Sequence, residues 1–255
     1  MTNILIICRK ELKSYFSSPI AYLLMAIFAV LFGFFFYSAT AFFVQRSVES
    51  QMMGRSQPMD VNEWVIRPLL SNASVIALFL IPMITMRLYA EEKRSGTMEL
   101  LLTSPIRDVE IIIGKFIAAW VMFACVIAIS ALDILALFAY GQPDWKPILV
   151  GYIGLLLQGG ALIAIGTFIS TTTRNQIIAG GATFAVCLLL WVMDWVSSYQ
   201  QEAWAKGVAY LSVVQHLEPF TKGVVDSKDV IFFASLIFFG LFLTARSMES
   251  LRWRA

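Results

Sequence analysis

Six apolar runs, about 21–44, 73–88, 111–140, 148–169, 177–195 and 230–245, dominate this chain of 255 residues. A bilayer core about 30 Å thick is crossed by about 20 helical residues. No water is available there to pair with an exposed backbone, so apolar runs of this length must fold as helices. The expected fold is an all-α polytopic membrane protein with six transmembrane helices in one domain, 1–255. The composition agrees: 59% of residues are apolar and 14% charged, against roughly half and a quarter in soluble domains. The second and sixth runs are short and must borrow flanking residues or sit in a thinned bilayer. The third is long enough to tilt or to project.

Residues 3–17 read as an amphipathic helix ahead of the first span. Ile4, Leu5, Cys8, Leu12, Tyr15 and Phe16 share one side, Arg9, Lys10 and Lys13 the other, and Ile6 and Ile7 blunt the polar face. Such a helix lies among lipid headgroups, and Pro19 lets the chain turn into the span. The alternative is a frayed start to that span. Ala39-Thr40-Ala41 imitates a signal-cleavage site, but the apolar run is too long for a signal and continues beyond it, so the span is expected to be retained.

Lysine and arginine counts set the orientation. One side would hold Arg9, Lys10, Lys13, Arg87, Lys93, Arg94, Arg107, Lys115, Arg174, Arg246, Arg252 and Arg254, twelve in all. The other would hold Arg46, Arg55, Arg67, Lys146, Lys206, Lys222 and Lys228, seven in all. Both termini are therefore expected in the cytoplasm, and an even number of spans agrees by placing them on one side.

The same count puts 91–106, EEKRSGTMELLLTSPI, on the cytoplasmic side. A loop that only reconnects two spans needs few polar residues, yet Glu91, Glu92, Lys93 and Arg94 form a charge block. Gly96 and Thr97 then offer a flexible start and a capping hydroxyl, and Glu99 suits a first helical turn. Met98, Leu101 and Leu102 share a face at helical spacing, and Ser104-Pro105 stops the helix. So short a helix must pack on something. A partner's apolar cleft, with the charges setting register, is one answer; an interfacial helix resting on lipid is the other.

The order of these parts resembles permease subunits of ABC-2-type ABC transporters. The patch 91–106 is similar to the family's E-E-[K/R]-x-x-G-T-x-E-x-L-L-x-x-P-[I/V] signature. Lys10-Glu11-Leu12 through Ser17-Ser18-Pro19-Ile20 resembles its elbow-to-span junction, and the stretch 217–229, LEPFTKGVVDSKD, its approach to the last span. The combination is most similar to gliding-motility-type permeases. The resemblance implies a multi-pass protein of the bacterial inner membrane, with an elbow helix over 3–17 and a cytoplasmic coupling helix within 91–106. A separate cytoplasmic ABC ATPase would bind ATP and Mg, and a second permease copy or a related permease would complete the assembly. This chain would then bind no cofactor or metal and catalyse nothing itself, and it has no G-x-x-x-x-G-K-[ST] loop.

The function expected is permease-mediated export, with a mechanical relay to an extracytoplasmic partner as the alternative. No nucleophile, paired-acid or His/Glu cluster suggests an intramembrane enzyme, and a net charge of +2 gives no case for nucleic acid. The three cysteines, Cys8, Cys125 and Cys187, read as small hydrophobes, and His216 is the only histidine. Asp133, inside the third run, marks either a pathway or partner contact or a wetted helix end. The outer segment 197–229 either folds as a loop or re-enters the bilayer under cover of protein. Gly166 and Ser170, like Ala179, Gly180 and Gly181, permit close helix contacts within or between chains.

Overall fold

A helix satisfies its own backbone residue by residue, and no strand occurs among the described residues. The computed structural model describes residues 2–53, 60–99, 106–141, 143–199, 207 and 210–252. Among them the elements are α1 (Thr2–Ser17), α2 (Pro19–Met52), a π-helical turn (Asn62–Ile66) continuing into α3 (Arg67–Thr85), α4 (Ala90–Ser95), α5 (Asp108–Tyr140), α6 (Trp145–Thr172), α7 (Gln176–Tyr199), α8 (Val213–Thr221) and α9 (Ser227–Arg252). Six helices are long and apolar enough to cross a membrane. The chain is an all-α polytopic membrane protein.

The second and sixth spans are not short. Helix runs without a break from Asn62 to Thr85, and α9 covers Ser227–Arg252. Charged and polar residues such as Arg67, Ser71 and Lys228 end the apolar run but not the backbone hydrogen bonding, so each span takes its length from flanking residues. Residues 45–52 and 62–71, between the first two apolar runs, are also helical, because α2 continues to Met52 and helix resumes at Asn62.

The centre of the bundle is α6, packed by α3, α5, α7, α8 and α9. Glycines allow this crowding where they face bulky neighbours. A methyl group at Gly159 would overlap the Phe123 ring of α5, and one at Gly166 would meet Thr85 of α3 and Thr183 of α7. Gly166 therefore serves packing within the chain. A methyl at Gly181 would meet nothing within 4 Å.

Both termini lie at one end. Asn3 Nδ2 donates to Glu110 Oε2 at 3.1 Å, and Arg252 pairs with Asp108 at 3.5 Å. The far end is closed by α8. Its Phe220 lies against Gly154, and Gly223, with φ 80°, turns the chain beside Pro147. Gly154 lies nine residues into α6, about 14 Å along its axis, so α8 sits down among the long helices. His216 of α8 is buried against Phe232 with ring centroids 3.8 Å apart. Its Nδ1 lies 2.7 Å from Asp229 Oδ1 and its Nε2 2.8 Å from the Tyr210 carbonyl oxygen.

Candidate docking site

At the end carrying the termini, α1 lies along α5 and α4 sits beside it. The face α1 turns to the protein is rotated from the one its sequence suggests. Ile7, which seemed to blunt the polar face, is buried against Gly114 of α5, whereas Leu5 is 70% exposed. A flat glycine surface accepts a branched side chain closely, so local packing outweighs the average periodicity. At the other end of α1, the Tyr15 hydroxyl donates to the Ile84 carbonyl at 2.8 Å, joining α1 to the last turn of α3. Arg9, Lys10 and Lys13 are exposed.

The deepest charge here is Lys115, seven residues into α5 and 1% exposed. Its ammonium group has three N–H donors. The three have three acceptors: Glu11 Oε1 of α1 at 2.9 Å, Glu92 Oε1 of α4 at 2.9 Å and the Leu88 carbonyl at 2.8 Å. The Tyr89 ring lies beneath the ammonium at 5.2 Å. Lys10 closes the cluster from the solvent side, 3.3 Å from Glu11 and 3.4 Å from Glu92. Burial alone would raise the Glu11 carboxyl's pKa, but Lys115 and then Lys10 outweigh it and hold it below the ordinary value.

These contacts divide the charge block. Glu92 is inside the chain's own cluster, and the Lys93 ammonium donates to the Thr171 carbonyl at the end of α6. Glu91, paired with Arg87 at 3.0 Å, is 48% exposed, and Arg94 is exposed. Gly96, with φ 75°, ends α4 in the left-handed region that favours glycine. The chain re-enters helix at Thr97, where the Thr97 hydroxyl lies 2.8 Å from that of Ser95. Met98 is buried in the chain's own core, not turned outward beside a partner. Leu101, Leu102 and Pro105 lie outside the described residues. The outward face of this site is therefore Glu91, Arg94, Ser95, Gly96, Thr97 and Glu99.

Three residues that complete the site were not singled out from the sequence. Lys115 was counted only as a topological charge, though a lone lysine in IIIGKFIAA signals a buried partner. Glu11 carried no separate role. Ser170, read as a small packing residue, uses its hydroxyl: it accepts the Tyr89 and Ala90 N–H groups at 3.0 and 3.1 Å. Asp133 is apart from all of this, about 27 Å along α5 from Lys115. Among the described residues it makes no hydrogen bond or ion pair.

The sequence profile for "ABC-2 family transporter protein" matches residues 5–224. The chain belongs to the ABC-2 transporter family. It is also similar to proteins described as "Probable multidrug ABC transporter permease YbhR" from Escherichia coli K12 and from Escherichia coli O157:H7. In each case identity is 23% over 171 residues, which are 65% of this ABC-2 chain and 44% of the relative. The match thus spans under half the length of those curated relatives.

Proposed function

We propose that this chain is the membrane-spanning subunit of an exporter driven by a separate cytoplasmic ATPase, in the bacterial inner membrane with both termini in the cytoplasm. The observation that carries the reading is the setting of α4. A helix of six residues is too short to persist alone, yet α4 is fixed from behind by Ser170, Lys93 and the Lys115 cluster while its outward face stays charged and open. A rigid, charged projection suits a protein partner that must push on it. That partner would hold ATP and Mg; this chain supplies the surface. The elbow helix α1 would brace the same partner through Arg9, Lys10 and Lys13. Two copies of this chain, or one with a related permease, would complete the assembly. On the combination of 91–106, the elbow-to-span junction and 217–229 we set it nearest the gliding-motility-type permeases.

The test is retention of the co-expressed ATPase on the purified permease. Combining Glu91→Lys with Arg94→Glu inverts the outward charges without touching the buried cluster. The expected result is loss of the ATPase by about tenfold or more. Undiminished retention would contradict the reading.

A further inference from the structure

We infer that Lys115 is a positioning residue that joins α1, α4 and the near end of α5 into one lever. It rests on the ATPase-docking reading above. The docking face is built on α4 and α1, two elements separate from α5 in the chain. Glu11 lies 104 residues before Lys115 and Glu92 lies 23 before it. One buried ammonium holds both carboxylates at the same distance, and no N–H is left over to relax the geometry.

Adhesion alone does not explain this choice. Burying an ion costs several kcal/mol, and well-packed apolar side chains usually stabilise at least as well. What a saturated ammonium adds is direction, because sliding α1 or α4 past α5 would strand a buried charge. Two further contacts resist the same slide. Ile7 is seated on Gly114, and Asn3 is bonded to Glu110. The cluster is also neutral, with Lys10 and Lys115 balancing Glu11 and Glu92, so no net charge pulls it open. A push on the docking face is therefore delivered to α5 together with α3, not absorbed in the joint between α1 and α4.

Two measurements on the full permease–ATPase complex test this. First, Asn3→Cys and Glu110→Cys are bridged by a short bifunctional thiol reagent, with the Lys115 cluster intact. A lever that moves as one body tolerates the bridge, and permease-stimulated ATP turnover stays within about twofold of the unbridged complex. Abolition of turnover by the bridge, restored on its removal, would show that α1 must slide and would overturn the inference. Second, Lys115→Met is compared with Lys115→Arg. Lys115→Met is expected to retain the ATPase but lose stimulated turnover by about tenfold, with Lys115→Arg recovering part of it. Full stimulation in Lys115→Met would overturn the inference. If the unmodified permease fails to retain the ATPase, the docking reading falls and the lever with it.

Discussion

Ser170 Oγ, in the last turn of α6, accepts the backbone N–H of Tyr89 at 3.0 Å and so fixes where α4 starts. The same oxygen accepts from Ala90 at 3.1 Å and donates to the Met86 carbonyl at 3.3 Å. Ser170→Ala leaves two buried N–H groups without an acceptor, at about 1–3 kcal/mol each. Amide exchange at Tyr89 and Ala90 is expected to speed up by about tenfold or more. Unchanged exchange would show that α4 is held by other contacts.

The Lys115 cluster gives an acid limit to stability. Glu11 has its carboxyl lowered from 4.5, as Lys115 and Lys10 overcome the opposing effect of burial. A carboxyl held low in the folded state adds stability above its ordinary value and loses it as the pH falls through the folded one. Stability in detergent should therefore hold from pH 7 to about 5 and decline below about 4.5. Glu11→Gln should melt earlier at neutral pH and lose less on acidification. An equal acid response in both proteins would remove Glu11 from the explanation.

Gly159 and Phe123 should behave as a coupled pair. Gly159→Ala overlaps the Phe123 ring, which is 1% exposed, and should cost about 1–3 kcal/mol. In a Phe123→Ala background the ring is gone, and the same methyl should cost much less. Additive effects on thermal unfolding would contradict the close packing of α5 on α6.

At the far end, both ring nitrogens of His216 have a partner, Nδ1 at Asp229 Oδ1 and Nε2 at the Tyr210 carbonyl. Asp229→Ala strands a buried ring nitrogen and should destabilise by about 1–3 kcal/mol. His216→Phe combined with Asp229→Leu should cost less than the two single changes together. Unfolding of the double variant and of its two single changes checks this, and simple additivity would contradict a specific pair.

What the sequence disclosed and what it hid divide along a physical line. Apolar runs report burial in lipid, so six spans were legible from length alone. Their ends were less so, since Arg67 and Lys228 are polar yet sit in unbroken helix. The charge block at 91–94 was visible, but which charges face outward was not. Glu92 and Lys93 are taken by Lys115 and Thr171, partners that no local pattern announces. Ile7 was misassigned because its seat, Gly114, is far along the chain. The depth of α8 depends on Gly154 leaving room for Phe220, which appears only when the two helices meet.

The most direct measurement of the central claim is site-specific photocrosslinking in cells. A photoreactive residue replaces Arg94 on the face of α4, or Val225, which is 56% exposed at the far end. The account predicts that position 94 captures a nucleotide-hydrolysing protein and position 225 does not. Capture of that protein from position 225, or from neither position while the complex stays intact, would contradict it.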